Sequence, residues 1–158
     1  MDWPLLLRWL HLIGATVLLG TGAGIAFFML MAHRTRDVHF IARTAEVVVI
    51  ADWVFTASAV VAQPVTGALL AQALGWSLTE GWIALSLGLY VLTGAFWLPV
   101  VWMQTRMRDL ARAADVANTP LPPEYHGLYR LWFLCGFPAF FAVLAILWLM
   151  AARPQIHL

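Results

Sequence analysis

The chain has no lysine. Its nine basic residues are all arginine, and charged residues of both signs make up only 11% of its 158 positions. An ordinary soluble domain is about a quarter charged. With a net charge of +1 and no basic run, the sequence lacks the electrostatic footprint that nucleic-acid binding requires. Cysteine is nearly absent as well. The single Cys135 lies inside an apolar run, which excludes a disulfide framework and a thiolate zinc site within one chain. There is no internal repeat and no low-complexity tract.

Apolar residues are what the chain has in excess, at 63%, with nine Trp and nine Phe among them. A soluble domain of this length leaves much of its surface in water and could not hide so much apolar material. Spanning the hydrocarbon layer takes a helix of about 20 apolar residues. Four stretches qualify: about 3–32, 46–72, 82–107 and 128–152. The first begins with Asp2 instead of a basic cluster and is too long for a signal peptide. Between the stretches lie a short charged connection (His33 to Arg43), a turn-rich one (Ala73 to Gly81) and a longer one broken by Pro120-Leu121-Pro122-Pro123. The expected fold is all-α: one integral-membrane domain, an up-and-down four-helix bundle.

Arginine sets the expected orientation. Arg34, Arg36, Arg43, Arg106, Arg108, Arg112 and Arg130 collect at one end, and Arg8 and Arg153 at the other. Basic residues stay on the cytoplasmic side, so both termini are expected outside. The expected location is a bacterial inner membrane, with the lipid bilayer as the first partner.

Polar side chains inside hydrocarbon are costly and turn toward the bundle interior. At about 100° per residue, Asp52, Thr56, Ala59, Gln63 and Thr66 share one face of the second helix. Ser86, Tyr90, Thr93, Trp97, Val101 and Gln104 share one face of the third. These stripes read either as hydrogen-bonding glue between helices or as the wall of a proton or solute path. Asp52 is expected to pair with an arginine, Arg106 or Arg130, because an unpaired buried carboxylate is expensive. Met29, Met31, Met103 and Met107 gather near the arginine-rich end. They read as packing, although thioethers also bind copper(I).

His11 is the most informative single residue. Ala15, Leu18 and Gly22 follow it on one face of the first helix, and Thr16, Gly20 and Gly24 form a small-residue stripe on the opposite face. Gln63, Thr66 and Tyr90 reach the same depth. His11 is then either a neutral imidazole in a structural network or an axial ligand to haem iron. His33, His39 and His126 fall at the arginine-rich end and His157 in the tail at the other, so none of them reaches the same iron.

Several motifs carry a family resemblance. They are Trp9-Leu10-His11, Ala51-Asp52-Trp53 with Phe55-Thr56, and Gln63-Pro64-Val65-Thr66-Gly67. Trp97-Leu98-Pro99-Val100-Val101-Trp102 with Gln104, Arg106-Met107-Arg108-Asp109-Leu110, and Tyr129-Arg130-Leu131-Trp132-Phe133 with Gly136-Phe137-Pro138-Ala139-Phe140 complete the set. Together they resemble a bacterial family of predicted integral membrane proteins, the domain-of-unknown-function family twenty-two sixty-nine. More distantly, the outline is similar to the HemJ-type protoporphyrinogen oxidases and to copper-resistance D-type membrane proteins. The oxidase resemblance rests on His11 in a Trp-containing start, on Gln63-Pro64 with Thr66, and on Arg130, Trp132, Pro138 and the Arg153-Pro154 ending. It implies a b-type haem on His11. The oxidases' His and Lys at the start of the third helix have no counterpart in Trp82-Ile83-Ala84-Leu85-Ser86, and Cys135-Gly136 stand where the oxidases carry Asn-Glu. Haem binding is therefore implied more directly than oxidase catalysis.

The expected function is a haem-associated redox or electron-transfer membrane protein. His11 would be the ligand to haem b, and Gln63, Thr66 and Tyr90 would surround it. A homodimer or a redox-complex partner is expected. The alternatives are a non-catalytic accessory or assembly subunit, or a small-solute or copper transporter.

Overall fold

The computed structural model describes residues 2–156; His157 lies outside them. Four helices account for almost all of it: α1 (Trp3–Thr35), α2 (Val38–Leu74), α3 (Gly81–Val116) and α4 (Pro123–Ala152). All four are long and apolar enough to cross a membrane. Among the described residues there is no strand.

The helices run further than the apolar stretches alone indicate. The connection expected over 33–43 shrinks to Arg36-Asp37. Arg36 ends α1 in the left-handed conformation (φ 60°), and the Asp37 carboxylate accepts hydrogen bonds from the His39 and Phe40 amides at 2.9 and 3.3 Å. That side-chain cap satisfies the orphan amides of a new helix, so α2 starts at Val38 and not near Glu46. Likewise α3 continues past Met107 to Val116, because Met107, Ala111 and Ala114 are buried at helical spacing. The proline run occupies the short α3–α4 turn, and Pro123 opens α4, where its missing amide costs nothing.

These extensions carry the charges clear of the apolar spans. His39 meets Asp115 at 3.1 Å, Arg43 meets Glu46 at 3.3 Å, and Arg106 meets Glu124 at 2.9 Å. Exposed pairs are worth little individually. Pairs that cross from α2 to α3 and from α3 to α4 do help hold the helix register.

The tightest packing lies in the arginine-rich half. Ile25, Met29 and Ala32 meet Ile41, Ala45 and Val48, with Met103, Met107, Tyr125, Tyr129 and Trp132 closing the layer. Met29, Met103 and Met107 are thus core residues. In lipid this packing acts through van der Waals contact and not through expulsion of water. The other half is looser. There α2 stays close to α1, whereas its close approach to α3 is confined to the segment before Asp52. Phe27, Phe28, Val61, Trp102, Leu134 and Trp148 point outward, as lipid-facing side chains do. The Thr16-Gly20-Gly24 stripe also faces away from the bundle. A side chain added at Gly20 would meet nothing within 4 Å, and one at Gly24 would meet only Phe28 of its own helix.

Candidate functional site

The polar residues form two clusters on the inward face of α2, separated by Ala59. The outer one is built on α1 and α2. His11 Nδ1 lies 2.9 Å from Thr66 Oγ1, and Gln63 Nε2 donates to the His11 carbonyl at 2.9 Å. Glycines make room for both side chains. A Cβ at Gly14 would collide with the Gln63 amide, and one at Gly67 would stand 3.1 Å from His11 Cε1. His11, Gln63 and Thr66 therefore converge as the stripe reading expected.

The proton count within this cluster determines the imidazole tautomer. Thr66 has one hydroxyl proton, and the short 2.9 Å approach of His11 competes with the Ala62 carbonyl at 2.7 Å. Helical threonines spend that proton on the carbonyl four residues back. Thr66 Oγ1 then accepts from His11, so Nδ1 carries the hydrogen and Nε2 holds a lone pair. Among the described residues, His11 Nε2 has no hydrogen-bond partner.

Tyr90 does not join this cluster. Its hydroxyl donates to the Val60 carbonyl. Pro64 explains why: it has no amide to offer the carbonyl four residues back, so Val60 is left without its helical partner inside the membrane. Tyr90 supplies the missing donor. Tyr90→Phe is expected to cost about 1 kcal/mol, read by denaturation in mixed detergent. Placing Pro64→Ala in the same chain should erase that cost, because the restored amide takes over the carbonyl.

The second cluster surrounds Asp52, which is buried where α2 widens into a single π-helical turn (Asp52–Thr56). One carboxylate oxygen accepts from Trp97 Nε1 at 3.4 Å. With the Gln104 amide turned so that its nitrogen meets an acceptor and its oxygen a donor, the other carboxylate oxygen accepts from the Gln104 nitrogen at 3.2 Å and the Gln104 oxygen accepts from Trp132 Nε1 at 3.1 Å. The expected ion pair with Arg106 or Arg130 is not formed. Arg106 turns outward to Glu124 at 2.9 Å, and Arg130 is exposed. Long arginine stems carry their charge away from the apolar interior, so neutral donors are left to hold the acid.

The sequence reading missed Trp132 as the third member of this chain, and it missed Gly14 as a cradle for Gln63. Gly14, three residues after His11 on a helix, was the signal for the second. Among the described residues no group of three or more His, Cys, Asp or Glu stands ready to hold a metal ion.

Four apolar helices with lipid-facing rings outside and hydrogen-bonded polar groups inside define an integral membrane protein. The chain belongs to the family described as predicted integral membrane protein (DUF2269), which it matches over residues 5–154. No curated protein and no solved structure matches it.

Proposed function

We propose that this is a haem-associated membrane redox protein in which His11 is the axial ligand. The observation that carries the reading is the 2.9 Å contact between His11 Nδ1 and the Thr66 hydroxyl, which leaves Nε2 without a hydrogen-bond partner among the described residues. A ligating imidazole is ordinarily held in this way, with its second nitrogen donating to a fixed acceptor. Gln63 ties the His11 backbone to α2, and Gly67 leaves the ring its place. The donor set fits a single protein ligand. A b-type haem would supply one-electron chemistry there. Cavities of about 570 Å³ and 190 Å³ lie at the helix ends, away from the buried His11.

The test is an optical spectrum of purified protein, oxidised and then dithionite-reduced, after expression with haem precursor. The expected result is a Soret band that shifts on reduction and is lost in His11→Ala while the bundle still elutes as folded protein. Thr66→Val should keep the band but weaken haem affinity about 10–100-fold, since the acceptor behind Nδ1 is gone. A colourless, well-folded wild type would overturn the reading.

A second reading, a non-catalytic accessory subunit, is favoured by the uncovered Thr16-Gly20-Gly24 stripe, which would let a foreign helix approach closely. It predicts the colourless outcome.

A further inference from the structure

The α2–α3 turn and the tail after α4 meet at the arginine-poor end of the bundle and line the larger cavity, about 570 Å³. That size suits a small molecule or a headgroup. Arg153 ends α4 in the left-handed conformation (φ 44°), which few non-glycine residues adopt. The turn carries Pro154, Gln155 and Ile156 along the cavity wall. Gly81 receives this tail: a Cβ at that position would collide with the Ile156 carbonyl. Trp76 and Trp82 line the same cavity, edge to face with centroids 5.4 Å apart. Tryptophan at the ends of membrane spans sits at headgroup depth.

Two opposite charges line this cavity without pairing with each other. The Arg153 guanidinium lies over the Trp76 ring, 4.6 Å from its centroid. The half-buried Glu80 accepts from the Ser77 amide at 3.2 Å through one carboxylate oxygen and from the Trp82 indole at 3.0 Å through the other. All the ion pairs among the described residues lie at the opposite, arginine-rich end. Arg153 therefore keeps N–H donors for an oxyanion, and each Glu80 oxygen keeps a lone pair for a further donor. Gly81 and Trp82, the first residues of α3, also line the cavity, and no side chain caps that helix. Its positive dipole end adds to the attraction for an oxyanion. A ligand that answers both walls carries an oxyanion and an ammonium. Trp76 gives a face to Arg153 and meets Trp82 edge-on, so the two rings form no box around a quaternary ammonium. The carboxylate calls instead for a primary ammonium, which has N–H groups to donate.

We propose that this cavity binds the headgroup of a phosphoethanolamine lipid. Arg153 and the first turn of α3 take the phosphate, Glu80 takes the ammonium, and the acyl chains stay in the bilayer. Arginine suits the phosphate because its planar fork can offer two parallel donors. The cavity lies where three membrane helices begin or end, so a lipid reaches it from the bilayer without leaving headgroup depth. That position favours a lipid over a free zwitterion of the same chemistry. The site is separate from His11 and does not depend on what that residue binds.

The test is native mass spectrometry of the full chain in a neutral detergent, titrated with phosphatidylethanolamine, phosphatidylcholine and phosphatidylglycerol of matched acyl chains. Phosphatidylethanolamine should bind tightest. Arg153→Gln and Glu80→Gln, which keep their stems and remove one charge each, should each weaken it by roughly tenfold or more. Glu80→Gln should also erase the preference over phosphatidylglycerol, which has no ammonium. Gly81→Ala changes no charge but displaces the tail, and it should weaken the same lipid. Variants that elute as folded protein yet bind phosphatidylethanolamine like the wild type would overturn the proposal, as would a wild type that takes the three lipids equally. Free phosphoethanolamine is the remaining arm: if it binds as tightly as the lipid, the ligand is a soluble zwitterion and the lipid assignment falls.

Discussion

Gly14→Ala is expected to destabilise the α1–α2 pair by about 1–3 kcal/mol, although alanine is the better helix former by about 1 kcal/mol. The added methyl would occupy the space of the Gln63 amide. That amide sits at the end of a flexible side chain and can swing away, so the helices need not separate. Once displaced, it loses the His11 carbonyl and is left as an unpaired donor in an apolar medium. Gly20 is the control: it meets nothing within 4 Å, so Gly20→Ala should be neutral or stabilising. In a Gln63→Ala background the penalty at Gly14 should disappear. Denaturation of the four proteins in mixed detergent reads the coupling directly. An equal penalty with and without Gln63 would show that Gly14 serves helix approach and not the amide.

Tyr125→Ala is expected to cost about 2–4 kcal/mol. Tyr125 has no exposed surface and sits among Met107, Ala111, Ile41 and Tyr129 in the tightest layer of the bundle. In water such a truncation loses transfer energy and leaves a cavity. In lipid the transfer part is small, because the separated helices also face hydrocarbon, and the cavity with its lost contacts dominates. Tyr125→Phe keeps the ring and removes a buried hydroxyl that has no hydrogen-bond partner among the described residues, so it should cost little or nothing. The contrast between the two, measured by the same denaturation, separates packing from polarity at this position.

Much of the fold was legible because the bilayer simplifies the problem. Four apolar stretches imply four helices, since no other unclosed backbone satisfies its own hydrogen bonds in hydrocarbon. Helix ends were less legible. Val38 to Ala45 and Arg108 to Val116 lie beyond the most apolar windows, and their helicity comes from the Asp37 cap and from the spacing of Met107, Ala111 and Ala114. The outer cluster was readable as far as His11, Gln63 and Thr66 sharing a depth. Tyr90 shared that depth too, yet it answers the carbonyl that Pro64 orphans, a demand visible only when the two helices are placed side by side.

The sequence by itself determined that this chain lives in a membrane, crosses it four times, and turns one polar face of its second and third helices inward. Composition and the 3.6-residue period suffice for that, because burial of polar groups in lipid is too costly to be arranged any other way. Only the tertiary structure decided which partners those polar groups take. Asp52 is held by Trp97 and Gln104 and not by arginine, since Arg106 turns outward to Glu124 and Arg130 lies on an exposed face. Thr66 sets the His11 tautomer because a helical hydroxyl gives its proton to the turn behind it and can then only accept. Partner choice of this kind depends on rotation and separation of helices over a few ångströms, and periodicity along one chain does not contain it.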